Sequence, residues 1–378
     1  MTRHRTDVVK PWWENQLPRR HDERYCSGTT SHAGSPNLPL APRRAGALTG
    51  TMRYLDDLGT RSPYSVIGLG TWQFGSVEWG YGEDYNSREA LRLVRRAQEL
   101  GVTLFDTAEM YGFGRSERIL GEALTGIDRD RVVVATKILP ILPVAPVVQQ
   151  RAVASARRLR VRRIDLYQVH QPNPLIRDGT TMRGMAALQD VGLIDEVGVS
   201  NYSLARWRAA ETALGRRVLS NQVQFSLLHR GPADQLVPFA AETGRVVIAY
   251  SPLEQGVLSG RYTVEHRPAT GIRTLNTAFL PDNLERISSL IGVLRDVGDA
   301  HDATPAQIAL AWLVHHPAVV AIPGASSLKQ LEHNVAAADI VLRDDEFAAL
   351  TAAAQAHQPV RGLTAARSFA TGLLRKRS

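Results

Sequence analysis

From residue 52 onward, short apolar runs alternate with longer stretches in which apolar residues recur every three or four positions. The runs fall at 66–70, 103–106, 132–136, 165–169, 196–200, 221–224, 246–250 and 319–322. Between them lie segments of helical length, among them 87–100, 116–124, 147–159, 180–191 and 233–243. Short β-rich runs separated by amphipathic segments predict parallel strands joined by crossover helices. Eight such units predict an α/β chain folded as one closed (β/α)8 TIM barrel over 52–343, with a C-terminal helix and tail at 344–378. An open doubly wound sheet is the competing architecture. It calls for G-x-G-x-x-G after the first strand, and Gly68-Leu69-Gly70-Thr71-Trp72-Gln73 does not supply one.

Residues 1–51 break the pattern. They carry neither periodicity and are rich in Pro, Gly, Ser, Thr and Arg, a composition that buries too little apolar surface to offset ordering entropy. They read as a disordered basic extension. Two origins stay open for it, a genuine tail or an over-extended start codon ahead of Met52.

Composition adds limits. The chain has 378 residues, 44% hydrophobic and 22% charged, the balance of a globular protein. No apolar run is long enough to span a bilayer and the N-terminus lacks a signal-peptide core, so a soluble, cytoplasmic protein is expected. Cys26 is the single cysteine, which excludes an internal disulfide. The formal charge of +8 suggests nucleic acid until its distribution is considered. Residues 1–50 hold eight Lys/Arg against four Asp/Glu, so half of the surplus lies in the extension. The body is only mildly basic, which suits an anionic small molecule better than nucleic acid.

Candidate chemistry sits where barrels keep it, at the C-terminal ends of strands. The second strand ends in Asp106 and runs on to Tyr111; the third ends in Lys137 and the fourth in His170. Each alone has an ordinary structural reading, as helix cap, loop packing, solvated strand end or satisfied core histidine. Four ionisable types at successive strand ends point instead to one site. Carbonyl reduction needs this set. Hydride arriving at a carbonyl carbon leaves charge on oxygen, and a placed proton donor must neutralise it. A tyrosine beside a buried ammonium is that donor, because the ammonium favours phenolate; a carboxylate keeps the ammonium charged. Histidine orients the carbonyl oxygen. The strand ends show no ligand cluster for a metal, so none is expected, and a metal-dependent isomerase ranks last.

The segments Gly68-Leu69-Gly70-Thr71-Trp72, Asp106-Thr107-Ala108-Glu109-Met110-Tyr111-Gly112, Ala135-Thr136-Lys137, Asp165-Leu166-Tyr167-Gln168-Val169-His170, Gly198-Val199-Ser200-Asn201-Tyr202, Tyr250-Ser251-Pro252-Leu253 and Ile322-Pro323-Gly324 resemble, in order, those of aldo-keto reductases. The resemblance implies an NADPH-dependent reductase of aldehydes or ketones with the tetrad Asp106, Tyr111, Lys137 and His170. It places Thr71, Trp72 and Asp106 near the nicotinamide, and Ser200, Asn201 and Gln222 on its carboxamide. Tyr250 would stack on the ring. Ser251, Pro252, Leu253, Gln255, Gly256 and Leu258 would pass over the pyrophosphate, with Arg261 and Arg273 as phosphate partners. Gly324, Ser326, Gln330 and Asn334 would hold the adenosine end. Position 330 is Gln where some members carry an Arg on the 2′-phosphate; with Ser326 and Lys329 nearby NADPH remains the expectation, and NADH use stays open. Trp72, Phe74, Trp79, Met110, Phe113, Asn173, Tyr202 and Leu228 follow strand ends and are expected to wall the substrate pocket. The alternative in another class is a cofactor-binding sensor or interaction subunit with little catalysis; the complete tetrad counts against it. Expected partners are a small carbonyl compound, with no nucleic acid and no membrane.

Overall fold

The computed structural model describes residues 52–77, 81–82, 86–268 and 272–360. The extension expected at 1–51, the pocket candidate Trp79 and the tail beyond 360 lie outside the described residues.

The described chain opens with an antiparallel hairpin, β1 (Tyr54–Leu55) and β2 (Tyr64–Ser65). Eight parallel strands follow: β3 (Leu69–Gly70), β4 (Leu104–Asp106), β5 (Val133–Ile138), β6 (Ile164–Val169), β7 (Ile194–Ser200), β8 (Ser220–Gln224), β9 (Val246–Tyr250) and β10 (Val319–Ala321). Each pairs with its neighbour in sequence order. The ring then closes, because Gly68 N donates to Ala321 O (2.8 Å), Ala321 N to Val66 O (2.9 Å) and Gly70 N to Pro323 O (3.2 Å). The sheet is therefore the expected barrel and not an open sheet. The first strand is shorter than its apolar run, since residues 66–68 spend their backbone bonds across this seam.

Between the strands run α1 (Ser87–Glu99), α2 (Arg115–Ala123), α3 (Ala145–Leu159), α4 (Asp178–Asp190), α5 (Leu204–Leu214) and α6 (Pro232–Glu242). Two helices, α7 (Pro281–Ala300) and α8 (Pro305–His315), separate β9 from β10; α9 (Leu328–Ala336) and α10 (Asp344–Ala356) follow. Their starts are written locally. Asn86 and Glu89 form a capping box on α1, Thr304 and Gln307 another on α8, and proline opens α3, α6, α7 and α8. No helix among the described residues is long and apolar enough to cross a membrane.

The two-residue period of the strands sorts the core into two bodies. Phe105, Val134, Ile138, Tyr167, Val169, Val247, Ala249, Val319 and Ala321 pack outward against the helices. Leu104, Val133, Ala135, Leu166, Val246, Ile248, Val320 and Ile322 fill the barrel, closed below by Leu58 and Tyr64 of the hairpin segment. The inward register continues up the strands into Asp106, Lys137, Gln168 and Gln222, all buried. Apolar layers at the bottom and a polar layer at the top thus come from one alternation.

The seam is tight at Gly70, where an added Cβ would lie 2.7 Å from Ile322 O, a backbone atom that cannot swing aside. Gly70→Ala is expected to destabilise the fold by about 1–3 kcal/mol, the usual cost of overpacking. Urea unfolding measures it as a lower midpoint at unchanged slope.

Candidate active site

The site grows from the inward parity of three adjacent strands. Asp106 ends β4, Lys137 is the fifth residue of β5, and His170 directly follows β6. Lys137 is fully buried. Its Nζ donates to Asp106 Oδ2 (2.6 Å), to the Thr107 carbonyl (2.8 Å) and to the Tyr111 hydroxyl (3.3 Å). Asp106 Oδ1 accepts from Gln222 Nε2 (2.8 Å) and Gln168 Nε2 (3.4 Å). Both carboxylate oxygens are therefore engaged, one by charge and one by amides.

Tyr111 reaches this group from a tight turn, Tyr111–Gly114, ahead of α2. Gly112, Phe113 and Gly114 all have left-handed φ (53°, 53° and 77°). At Gly112 a Cβ would also stand 2.7 Å from Gly75 O, so only glycine lets the turns after β3 and β4 touch. A hydroxyl knot holds the turn beneath. Ser116 Oγ donates to Thr71 O (2.9 Å) and lies 2.8 Å from Thr71 Oγ1 and 2.9 Å from Thr107 Oγ1. His170 packs edge-on to the Tyr111 ring at 5.7 Å, and Trp72 stacks on it at 6.2 Å.

Charge states follow from these contacts. Burial pulls Lys137 down, but Asp106, Tyr111 and their hydrogen bonds outweigh it, and the ammonium is held above the usual lysine value. Burial pushes the Tyr111 phenol up; the Lys137 charge opposes this without reversing it. The ammonium is expected from the sequence to make the phenol more acidic. The direction of that effect is right and its size too small, since desolvation is the larger effect. His170 is lowered to about 3, first by burial and then by Lys137. The resting arrangement is carboxylate, ammonium, neutral phenol and neutral imidazole, and His170 Nδ1 is buried without a hydrogen-bond partner.

The other expected residues divide. Ser200, Asn201 and Tyr250 meet at the ends of β7 and β9: Tyr250 Oη donates to Asn201 Oδ1 (3.0 Å), and Asn201 Nδ2 to Ser200 Oγ (3.0 Å). Gln222 is turned to Asp106. The segment Ser251–Leu258 makes a turn with left-handed Ser251, Gln255 and Gly256, braced by Arg273 Nε on Gln255 O (3.1 Å). Arg261 lies over the Tyr262 ring at the surface. At the start of α9, Gln330 Oε1 accepts from Ser326 N and Oγ (both 3.0 Å), and Asn334 Nδ2 donates to Gly324 O (3.3 Å). Thr71 is fully buried, with its hydroxyl on Asp106 O (2.9 Å), so it braces the site and does not face its mouth.

Three pocket expectations are corrected. Phe74 has no exposed surface and packs in the outer core with Leu69 and Val94. Tyr202 is buried, its hydroxyl on Asp178 (2.7 Å) and its ring under Arg206. Leu228 lines a separate cavity of about 410 Å³ with His229, Glu254 and Ile287, and no tetrad residue is among the lining residues. Asn173 braces its loop, donating to Pro140 O (2.7 Å). Trp72, Met110 and Phe113 are exposed.

Sequence reasoning overlooked several buried polar residues. Gln168 supports Asp106, Ser116 makes the hydroxyl knot, and Gln73 Nε2 ties β3 to Ala325 O (2.8 Å) beside Gly324. Gln168 was discoverable, because it shares the inward parity of Lys137; the other two become visible only with the loops placed.

A profile of the Aldo/keto reductase family matches residues 66–355. The chain belongs to the aldo/keto reductase family. An oxidoreductase of Mycobacterium tuberculosis is 59% identical over 309 residues, covering 82% of this chain and 95% of the relative. Two solved aldo/keto reductases show the same architecture. The glycerol dehydrogenase of Gluconobacter oxydans superposes with a TM-score of 0.72 at 26% identity, covering 82% of this chain and 97% of that one. The Klebsiella pneumoniae aldo/keto reductase, in complex with NADP and acetate, gives 0.61 at 30% identity, with 79% and 94% covered.

The depressed His170 value has a thermodynamic consequence. The folded state resists protonating a group that the unfolded chain protonates near 6.5, so its contribution is intact above that pH and is lost as the pH falls toward 3. Between pH 7 and 4.5 this one residue removes about 2–3 kcal/mol. Urea unfolding at the two pH values checks it, with His170→Asn losing less stability than the parent by that amount.

Proposed function

We propose that this chain reduces aldehydes or ketones to alcohols with NADPH, using Tyr111 as the proton donor. The observation that carries the reading is Lys137 Nζ, held between Asp106 at 2.6 Å and the Tyr111 hydroxyl at 3.3 Å in a fully buried position. A charge buried this way is costly to a barrel that needs only to fold. It makes sense as the electrostatic support of a reacting phenol.

The groups at the mouth suit a dinucleotide. Ser200, Asn201 and Tyr250 offer a hydroxyl, an amide and an aromatic ring beside the tetrad. At Gly256 an added Cβ would meet only the Tyr262 ring edge, at 3.3 Å. Ser326, Ser327 and Gln330 form a polar helix start, a place that favours phosphate. The NADP complex of the Klebsiella relative supports the same choice. When bound, the cofactor supplies hydride.

The protein's part is positional and electrostatic. His170, neutral, hydrogen-bonds the carbonyl oxygen and fixes its direction relative to Tyr111. Tyr111 gives its proton to that oxygen as negative charge develops on it. The phenolate left behind is stabilised by the Lys137 ammonium, which Asp106 keeps charged. Gln168 and Gln222 hold the carboxylate in register. Trp72, stacked on Tyr111, restricts water at the donor.

Turnover in Tyr111→Phe is expected to fall by a factor of about 10²–10⁴, the usual worth of a placed acid. NADPH affinity, read by fluorescence titration, should stay close to the parent's because the ring and its packing remain. Parental turnover by this variant would refute the assignment. Tight NADPH binding by the parent with no carbonyl reduced would transfer the reading to a cofactor-binding sensor.

A further inference from the structure

Glu109 and Glu117 are buried carboxylates to which the proposed reduction gives no part. They stand two residues before Tyr111 and six after it, on either side of the turn that carries the donor. Both are met by arginines from one helix. Arg151 Nε donates to Glu109 Oε1 (2.9 Å) and Oε2 (2.8 Å), and Arg158 Nε donates to Glu117 Oε2. Arg151 and Arg158 lie seven residues apart on α3, about two turns, so one face of that helix serves both.

The Glu117 pair reaches further. Glu117 Oε1 accepts from Thr136 Oγ1 (2.7 Å), and Thr136 immediately precedes Lys137 on β5. Thr136 shares the outward parity of Val134 and Ile138, so this contact lies between β5 and the helices α2 and α3. Arg158 Nη2 also donates to Ser155 Oγ (3.1 Å), one turn back on α3, which fixes its approach. On its way the Arg158 side chain crosses Gly114, where an added Cβ would stand 2.7 Å from Arg158 Cδ. A chain of contacts therefore runs from the turn Tyr111–Gly114 through Arg158, Glu117 and Thr136 to the strand that carries Lys137.

Fold stability does not account for this arrangement. Glu117 has no exposed surface, and a buried ion pair adds little over an apolar pair of the same volume. The turn it holds is strained, since Phe113 stands on left-handed backbone (φ 53°) between two glycines. Of the three bonds that Lys137 Nζ makes, the one to Tyr111 is the longest, 3.3 Å against 2.6 and 2.8 Å. That bond alone holds the phenol weakly, and the frame behind the turn supplies the rest.

We propose that Arg158 and Glu117 are positioning residues for the proton donor, setting the separation of Tyr111 Oη and Lys137 Nζ from behind β5. The inference rests on the reductase reading for what Tyr111 does, and goes beyond it in assigning residues that act from the other side of the barrel wall. Thr136 is the joint that keeps the turn and the lysine strand in step.

The test uses the full-length protein with NADPH, and propanal and benzaldehyde as carbonyl probes. Thr136→Val removes the joint. Glu117→Leu combined with Arg158→Met removes both charges together, so that no buried charge is left unpaired and the fold is retained. Misplacing a reacting group by 1 Å costs about 10²-fold, so kcat is expected to fall about ten- to a hundredfold in both variants. KM and the NADPH Kd are expected to stay within about twofold of the parent, as for a loss felt only in the transition state. Arg158→Lys, which keeps the charge opposite Glu117, is expected to hold most of the parental kcat. Amide hydrogen exchange on the NADP complex reads the frame without turnover, and peptides spanning 107–118 are expected to exchange faster in both variants than in the parent. Parental kcat or parental exchange in both variants overturns the proposal, while turnover by the parent leaves the reductase reading standing. A fall in kcat matched by an equal loss of NADPH affinity also overturns it, since the whole mouth has then loosened. Absent turnover by the parent, with faster exchange at 107–118 in the variants, sinks the reductase reading and keeps the frame around Tyr111.

Discussion

Everything at the mouth of this barrel follows from burying one ammonium. Lys137 sits inside a ring whose lower layers are Leu104, Val133, Ala135, Leu166 and Ile248, where an isolated charge would neutralise itself. Asp106 alone would balance the charge. The Thr107 carbonyl and the Tyr111 hydroxyl complete the coordination and fix where the ammonium points. Because a buried ion pair stabilises little and is destructive when halved, the proposed function explains such a group by what it does to its third partner. That partner is Tyr111.

The barrel makes this affordable by separating its tasks along one direction. Alternation within the strands fills the bottom with aliphatic side chains and the top with Asp106, Lys137, Gln168 and Gln222. Strands that differ by a single residue of register would interchange the two faces, so the seam bonds of Gly68, Gly70 and Ala321 protect the site as well as the closure. The loops carry a different burden. Ser116, Glu109, Asn173 and Gln73 use their polar groups to join one segment above the strands to the next.

Legibility in the sequence divides along the same line. Strand positions were readable because apolar runs of fixed period have few alternative placements, and Asp106, Lys137 and His170 were readable because they end such runs. Gln168 carried the same signal and was passed over, since an amide inside a strand announces no chemistry. The hairpin at Tyr54–Leu55 and Tyr64–Ser65 was invisible: two-residue strands have no measurable period. In the loops, neighbours in sequence diverge. Trp72 is 37% exposed and Phe74 fully buried, although both are aromatic and two residues apart. Only the turn between them decides, and no periodicity governs a turn. Tyr202 was misread for the reverse reason, as its Asp178 and Arg206 partners lie on helices whose approach the sequence does not encode locally.

The raised Tyr111 value bears on how the site is meant to work. A donor tuned only for acidity would be placed where the ammonium prevails over burial, and here burial prevails. Yet in the proposed reduction the acceptor of its proton is not water. It is an oxygen turning into an alkoxide, a far stronger base than phenolate, so transfer is downhill once hydride has begun to move. A phenol that stays protonated until that moment cannot lose its proton to solvent beforehand. In that proposal Lys137 then acts on the product of the transfer, the phenolate, whose charge it meets at 3.3 Å. Under the proposed function, position and timing, secured by burial, matter more than acidity.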